Sequence, residues 1–362
     1  MNWLVSKNYV ITYKELVKLI NEGKCGNFFC SFIADIVGNK CIDLSSYKMN
    51  RDKNNISDIN DLKNKFANSK ARIIMKTSGT TGKPKTTTHN ISDLLKNTRQ
   101  SDAPKVWLFT YNKYHMGGIQ VLLQAFRNNS TIIDVYKKDR QYTLNSLLKY
   151  EVTNISATPT FYRMLLPIDR KYCSVNRITV GGERTDSSTI GVIKTMFPNA
   201  KINNIYATTE TGAVLFSKDD KFKINDKIKI KDGILHIVLE NDQLHCTGDL
   251  VEIQEDGRFV FSGRNSSIIN IGGNNVNPYE VEDILKEHSF IKEAVVYGKK
   301  NTLLGNVLCC DVVLLQNLTQ QEIKKHLEKN IEEKYKIPRM IKIKDSIKIS
   351  ETNKAIRWKI YY

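Results

Sequence analysis

The chain has 362 residues, of which 41% are hydrophobic, enough for one large domain with a smaller one or for two ordinary domains. Its net charge of +17 favours anionic partners but does not distinguish nucleic acid, an anionic membrane surface, a polyphosphate cofactor and an acidic carrier protein. No apolar run approaches the roughly 18 to 20 residues of a transmembrane helix, and the N-terminus lacks the apolar stretch of a secretory signal.

The seven cysteines show no repeated pair spacing typical of a metal-binding ribbon or a small disulfide framework. We therefore interpret them as reduced thiols. Together with the absence of a signal and a membrane span, this predicts a soluble, cytoplasmic protein.

The N-terminal part of the chain predicts an α/β domain. Residues 13–21 predict a helix, residues 28–37 form an apolar segment, and the polar residues 47–68 are either a loop or a surface helix. Further along, short apolar runs typical of strands alternate with segments of helical period, such as residues 119–126 and 187–196. This alternation indicates a sheet that is at least partly parallel.

The composition changes after this region. Residues 222–261 predict β-strands with turns at Asp232-Gly233 and Asp256-Gly257. The remaining sequence predicts a small α+β domain, with its helices and strands at residues 278–288, 294–297, 307–315 and 319–334.

Residues 73–89, IIMKTSGTTGKPKTTTH, carry the most informative motif. A strand-like run stops at a loop in which glycines permit close approach, hydroxyls donate to anionic oxygens and lysines supply charge. The spacing differs from a Walker P-loop, and Pro84 stands at that motif's Ser/Thr position. The sequence therefore predicts phosphate binding by Thr77, Ser78, Gly79, Thr80, Thr81, Gly82, Lys83 and Lys85.

Further motifs follow in order: Tyr206-Ala-Thr-Thr-Glu-Thr-Gly212, Thr247-Gly-Asp249, Gly263-Arg264, Gly272-Gly-Asn-Asn-Val-Asn-Pro-Tyr-Glu280, and Lys354 with Arg357 three residues later. With the phosphate loop, they resemble the adenylate-forming superfamily of acyl-CoA synthetases, luciferases and nonribosomal adenylation domains. Five motifs in one order are hard to obtain by chance.

The nucleotide-site residues also suit their expected roles chemically. The ring of Tyr206 can stack on adenine, Thr209 can donate to a phosphate, and Glu210 can hold Mg²⁺ against the ATP phosphates. Asp249 can accept hydrogen bonds from both ribose hydroxyls, although a solvated turn aspartate is the alternative. The resemblance implies that Arg264 also contacts the ribose.

The acid-binding side is less sharply defined. His115 and Gly118, in Tyr114-His-Met-Gly-Gly118, resemble the histidine motif that borders the acyl pocket in acyl-CoA synthetases, and the region lacks the Phe-Asp pair expected for amino-acid substrates. The motif Gly181-Gly182-Glu183 is similar to the family's loop between adenine and acyl group.

The resemblance implies a two-domain ligase in which residues 1–264 bind ATP and a carboxylic acid and residues 265–362 form a small mobile α+β lid. Lys354, Glu210 and Lys85 would be catalytic, and the lid would rotate at Ser266 between acyl-AMP formation and transfer to a thiol, with coenzyme A as the expected acceptor. The Gly272-Gly273 loop is more similar to small-acid and aryl-acid CoA ligases, including succinylbenzoate-CoA ligases, than to peptide-synthetase domains.

Two alternatives remain open. The acceptor could be a phosphopantetheine carrier protein, for which the positive surface suits an acidic partner. The chain could also be a non-catalytic AMP-binding or nucleic-acid-binding module, because only 77 residues precede Ser78, fewer than the family pattern implies. Basic strings interleaved with aromatic residues are absent apart from Arg357-Trp-Lys359, so we expect no nucleic-acid partner.

Overall fold

The computed structural model describes residues 1–49, 51–77, 85–96, 98–101, 103–208, 212–239, 242–302, 305–350 and 354–356. The chain divides into two compact units. Unit 1 comprises Met1–Ser156 with Ser174–Arg177, and unit 2 comprises Ala157–Cys173 with Ile178–Tyr362. The predicted α/β class with mixed sheets is confirmed. The predicted domain boundary at residues 264 and 265 remains a prediction.

Unit 1 alternates strands and helices. The strands are β1 (Asn2–Ser6), β2 (Tyr9–Thr12), β3 (Cys41–Asp43), β4 (Arg72–Thr77), β5 (Lys85–Asn90), β6 (Val106–Phe109), β7 (Thr131–Asp134) and, at the border of the unit, β8 (Asn154–Ala157). The helices are α1 (Tyr13–Glu22), α2 (Phe28–Val37), α3 (Ile59–Ala67), α4 (Ile91–Lys96), α5 (Met116–Arg127) and α6 (Arg140–Lys149).

The strands of unit 1 form two sheets. One has the order β8-β6-β7-β1-β2, parallel except for the β1–β2 pair, and the other has the order β3-β4-β5. Trp3, Tyr13 and Phe126 pack ring to ring in the core, with centroids 5.0 to 6.0 Å apart. Aromatic contacts thus join the first strand and helix to α5.

Unit 2 is richer in strands. They are, starting at its border, β9 (Arg177–Gly181), β10 (Lys201–Thr208), β11 (Gly212–Ser217), β12 (Lys221–Phe222), β13 (Ile228–Lys231), β14 (Ile234–Val238), β15 (Leu244–Ile253), β16 (Phe259–Arg264), β17 (Ile269–Ile271), β18 (Asn274–Val276), β19 (Ile291–Asn301), β20 (Gly305–Leu314) and β21 (Met340–Ile343). The helices are α7 (Pro159–Met164), α8 (Ser187–Met196), α9 (Pro278–Glu287) and α10 (Gln320–Asn330), with short 3₁₀ turns at Asn265–Ser267 and Lys334–Lys336.

Four strand groups arrange these elements. They are β9-β10-β11, the antiparallel sheet β12-β16-β15-β14-β13, the hairpin β17-β18, and the sheet β19-β20-β21. The helices α9 and α10 cover the last sheet through a core that includes Val281, Leu285, Val296 and Leu327. The five-stranded sheet has a core of its own around Leu235 and Phe259.

Local sequence signals account for several element ends. Thr12 accepts the Glu15 N–H while the Glu15 carboxylate accepts the Thr12 N–H at 2.8 Å, a capping box that begins α1. Asp232 and Gly233 have φ of 50° and 69°, as a two-residue hairpin turn requires, and they join β13 to β14 as predicted.

The predicted helices and strands are present with shifted ends. The apolar residues 28–37 form α2, and α3 occupies the second half of the polar stretch 47–68. The helix predicted at residues 319–334 is shorter, because Ile331 leaves α10 in an extended conformation and is buried in the core. In the part of the chain that the structure describes, no helix is both long and apolar enough to cross a membrane.

Candidate functional site

Three predicted nucleotide-site residues meet in unit 2. Asp249 on β15 lies directly opposite Arg264 on β16, and the Arg264 Nε–H donates to Asp249 Oδ1 at 2.7 Å. The Tyr206 hydroxyl, from β10, donates to the other carboxylate oxygen at 2.7 Å. Each Asp249 oxygen therefore has one charged or phenolic donor and retains a lone pair that a ribose hydroxyl could use.

The Asp249 carboxylate is built into the sheet. Asp249 is only 6% exposed, and its backbone N–H donates to Thr247 Oγ1 at 3.1 Å. Thr247 in turn donates to the Leu235 carbonyl at 2.7 Å. This geometry excludes the alternative of a solvated turn aspartate.

The Tyr206 ring is fixed on one side. It stacks on Phe261 with centroids 4.5 Å apart and 24° between the planes, so an adenine could stack only on the opposite face. Burial and the neighbouring Asp249 carboxylate raise the pKa of Tyr206, so its hydroxyl stays protonated and serves as a donor. Phe261 was not predicted from the sequence, although it lies three residues before Arg264 on the same strand.

Lys354 lies close to these groups. A side chain at Gly182 would begin 3.8 Å from Lys354 Cε, and Gly182 has φ of +85°, which favours glycine. Lys354 is an exposed residue. Desolvation nevertheless lowers its pKa, with Glu183 opposing the shift, Arg264 adding to it and Asp249 opposing it. A lysine ammonium, an arginine and two carboxylates thus share one neighbourhood.

Glu183 holds the segment that carries Lys354. Its Oε1 accepts the Ala355 N–H at 3.1 Å, and its Oε2 accepts the Thr160 N–H at 3.2 Å. The sequence predicted Glu183 as a substrate-binding residue, and that role stays a prediction. In the structure, Glu183 supports the backbone next to Lys354. No local sequence pattern could predict this contact, because 172 residues separate Glu183 from Ala355.

The predicted acid-binding residues of unit 1 lie at the start of α5. His115 is its N-cap residue, without a side-chain capping bond, and Gly118 lies in the first turn. A Cβ on Gly118 would lie 2.5 Å from the Asn112 carbonyl oxygen, so this position needs glycine for packing. Gly181 in unit 2 likewise approaches the Ile205 carbonyl, at 3.0 Å from a would-be Cβ. Substrate contacts of these residues stay predictions.

Several predicted residues lie outside the described part of the chain: Ser78, Gly79, Thr80, Thr81, Gly82, Lys83, Thr209, Glu210 and Arg357. The loop ends are described, since Thr77 and Lys85 pair across the antiparallel strands β4 and β5. Ser266, the predicted hinge, lies in the exposed 3₁₀ turn that follows Arg264. The described residues contain no group of three or more His, Cys, Asp or Glu arranged to hold a metal ion.

Family models match most of the chain. The AMP-binding enzyme model matches residues 35–265, and the model of the AMP-binding enzyme C-terminal domain matches residues 280–354. Both matches include residues of the cluster, since the first contains Tyr206, Asp249 and Arg264 and the second ends at Lys354.

The curated relatives of this chain include 2-succinylbenzoate–CoA ligases. A 2-succinylbenzoate–CoA ligase of Staphylococcus epidermidis is 27% identical over 329 residues, covering 79% of this chain and 69% of the relative. One of Staphylococcus aureus is 26% identical over 331 residues, covering 80% and 66%. The chain therefore spans about two thirds of the length of these relatives.

Solved structures share the fold. An o-succinylbenzoate CoA synthetase of Bacillus subtilis, in complex with its acyl-adenylate intermediate, has a TM-score of 0.66 at 20% identity, covering 98% of this chain and 94% of that one. An anthranilate CoA ligase with anthranoyl-AMP has a TM-score of 0.66 at 17% identity, covering 78% and 65%. The resemblance predicted from the motifs is confirmed: the chain belongs to the AMP-binding enzyme family.

Proposed function

We propose that this chain uses ATP to convert a carboxylic acid to its acyl-adenylate, releases pyrophosphate, and transfers the acyl group to the thiol of coenzyme A. The observation that carries the proposal is the cluster in unit 2 where Tyr206 and Arg264 both donate to the buried Asp249 carboxylate and Lys354 lies nearby, beside Gly182. The names of the relatives support the same ligase chemistry, and 2-succinylbenzoate is the first acid to test.

The chain's own residues divide the first half-reaction between them. Asp249 and Arg264 bind the ribose hydroxyls, and Tyr206 orients the base, so the nucleoside is held while chemistry proceeds at its 5′ phosphate. Lys354 brings a positive charge to the α-phosphate, where negative charge develops as the carboxylate attacks and pyrophosphate leaves. Bound Mg²⁺ would supply further charge neutralisation, with Glu210 as its proposed ligand.

A surface pocket supports a nucleotide-bearing thiol as acceptor. The pocket has a volume of about 250 Å³ beside Gly272, and Lys334, Tyr335 and Arg339 line it. Two cations and an aromatic ring suit a phosphorylated nucleotide, which coenzyme A carries. An acidic phosphopantetheine carrier protein remains the second candidate acceptor, since the net charge of +17 also suits it.

The proposal includes a cytoplasmic location and no nucleic-acid partner. All seven cysteines are free, including the buried Cys25, Cys30, Cys309 and Cys310. Reduced thiols are typical of the cytoplasm, where ATP and coenzyme A are also available.

Acid-dependent pyrophosphate exchange tests the function directly. We expect the full chain with Mg²⁺ to exchange labelled pyrophosphate into ATP when 2-succinylbenzoate or another member of an aryl and aliphatic acid panel is added. Subsequent addition of coenzyme A or of a phosphopantetheine carrier protein would identify the acceptor by thioester formation. AMP binding without exchange for any acid would contradict the ligase and favour a non-catalytic module.

Glu183→Gln should make adenylation more sensitive to alkaline pH. Glu183 raises the pKa of Lys354, so its loss should lower that pKa further and remove the lysine charge at a lower pH. We therefore expect the alkaline limb of the exchange rate to move to lower pH, measured as a pH–rate profile. Glu252→Gln, an exposed change on β15, is the control. Identical limbs in both variants would show that Glu183 does not act on Lys354.

A further inference from the structure

Six charged side chains form an ionic network within unit 2. The first group lies before β10 in the sequence and consists of Arg163, Arg184 and Asp186. The second group lies on α9 and β19 and consists of Asp283, Lys286 and Glu293. The first group carries one net positive charge and the second one net negative charge, so the two are complementary and the whole is neutral.

The inner part of the network is buried. Arg163 Nε donates to Glu293 at 2.7 Å, Lys286 Nζ lies 2.7 Å from Asp186, and Arg163 Nη1 lies 3.4 Å from Asp186. These four side chains are at most 10% exposed. Burial alone would raise the pKa of Asp186, but Lys286 and Arg163 outweigh it and lower that pKa. Asp186 therefore stays ionised.

The outer pair is more accessible. The Arg184 guanidinium binds both oxygens of Asp283, with Nη1–Oδ1 at 2.8 Å, and its Nε–H donates to the Phe261 carbonyl. The Asp283 carboxylate also lies 3.4 Å from Lys286, which joins the outer pair to the buried part. The side chains of Arg184 and Asp283 are 18% and 27% exposed.

The network is continuous with the lysine site. Arg184 and Asp186 belong to the same short segment as Gly182, which lies beside Lys354, and Glu183, which accepts the Ala355 N–H. Segment 182–186 therefore has two neighbours in the C-terminal part of unit 2. Gly182 and Glu183 lie next to Lys354 and Ala355, and Arg184 and Asp186 form ion pairs with α9. A displacement of α9 from this segment would shift the backbone next to Lys354.

We propose that the pairs Arg184–Asp283, Asp186–Lys286 and Arg163–Glu293 are positioning residues that fix α9 and β19 against segment 182–186 and α7, and so place Lys354 for acyl-adenylate formation. This inference rests on the proposed function. Buried ion pairs contribute little net stability but fix one geometry, because displaced partners would leave buried charges unpaired. The pairs therefore favour adenylation and must separate if the C-terminal part rotates for the thiol step.

A double-mutant cycle on the accessible outer pair tests the proposal. We expect Arg184→Gln and Asp283→Asn each to lower the kcat of pyrophosphate exchange by about 10- to 100-fold, the cost of misplacing a catalytic group by about 1 Å. The KM for ATP should stay near the wild-type value, since Asp249 and Arg264 are untouched. The double variant should lose less than the sum of the two single variants, because both single variants remove the shared Arg184–Asp283 pair. Arg184→Lys should recover part of the loss.

The control is the Arg258–Asp219 pair, which has a 2.8 Å contact, is somewhat more exposed, and lies beside the start of β16, at the opposite end of that strand from Arg264. Arg258→Gln and Asp219→Asn should leave exchange unchanged. In all variants, thioester formation from supplied acyl-adenylate should be unchanged or faster.

A measurement that does not depend on enzymatic activity distinguishes this proposal from the proposed function. Amide hydrogen exchange at Ala355, whose N–H Glu183 accepts, should accelerate in Asp283→Asn and not in Asp219→Asn. If the wild-type chain exchanges no pyrophosphate, the ligase proposal fails, while this measurement still decides the positioning role. The positioning proposal is overturned if folded Asp283→Asn matches the wild type in both assays, or if both half-reactions fall equally.

Discussion

Lys354→Ala should lower acyl-adenylate formation by about 10²- to 10³-fold, the usual scale for one charged contact made in a transition state. Lys354 lies beside Gly182, and the charges of Glu183, Arg264 and Asp249 affect its pKa. ATP binding should change little, because the Asp249–Arg264 pair does not depend on the lysine. Single-turnover formation of acyl-AMP with 2-succinylbenzoate, or with whichever acid supports exchange, measures the effect.

The same variant should spare the second half-reaction. Thioester formation from supplied acyl-adenylate and coenzyme A should continue at a rate near that of the wild type, because the proposed role of Lys354 is to stabilise charge at the α-phosphate during adenylation and not to act on the thiol. Lys342→Ala, an exposed lysine on β21, is the control for loss of charge alone. Intact acyl-AMP formation by a folded Lys354→Ala variant, or equal loss of both steps, would contradict the assigned role.

Adenylation should also lose activity at alkaline pH. Desolvation by the surrounding groups lowers the pKa of Lys354, so its ammonium charge disappears at a lower pH than that of an ordinary lysine. The charged form exists below the pKa, and the rate should therefore fall as the pH rises through it. Lys354→Arg, which cannot be deprotonated in this range, should remove that limb if it folds and remains active.

Local signals in the sequence predicted most of the elements. Thr12 with Glu15, and Thr319 with Glu322, form capping boxes that begin α1 and α10, although the prediction of these helices did not use them. The Asp232-Gly233 turn joins two strands because both residues adopt positive φ. Such signals act within a few residues, so a single sequence contains them in full.

Contacts between distant residues explain what the sequence could not provide. Glu183 and Ala355 are 172 residues apart, and Arg163 and Glu293 are 130 apart. Nothing in the local pattern around either partner identifies the other, since a charged residue near a strand end is usually solvated. The motifs therefore indicated the nucleotide site, while the support of Lys354 and the ionic network required the fold.

The segment of residues 182–186 shows how one short loop combines both kinds of information. Its glycines were recognised as a motif, and Gly182 needs its positive φ beside Lys354. Glu183 belonged to that motif, whereas Arg184 and Asp186 were not predicted to have a role; all three bind a partner in residues 283–355. Changes in this loop should therefore affect the placement of the lysine before they affect nucleotide binding.

Asp249→Asn should do the opposite and weaken nucleotide binding by about 10- to 100-fold, the equivalent of losing one or more hydrogen bonds to a charged acceptor. Asparagine keeps the size of the side chain but offers one acceptor oxygen and an NH₂ donor. Whichever way it turns, the NH₂ group faces either the Tyr206 hydroxyl or the Arg264 Nε–H, both of which donate to Asp249 in the wild type. Ribose hydroxyls would also lose an anionic acceptor.

The matched control for this variant is Asp256→Asn, because Asp256 also accepts an arginine Nε–H, from Arg258 at 2.9 Å, but lies at the far end of the same sheet. Titration calorimetry with ATP should show the loss of affinity in Asp249→Asn and not in Asp256→Asn. A folded Asp249→Asn protein that binds ATP as tightly as the wild type would show that other residues hold the ribose. A weakened affinity in both variants would indicate a general electrostatic effect of removing one negative charge, because the two carboxylates differ in position and not in charge.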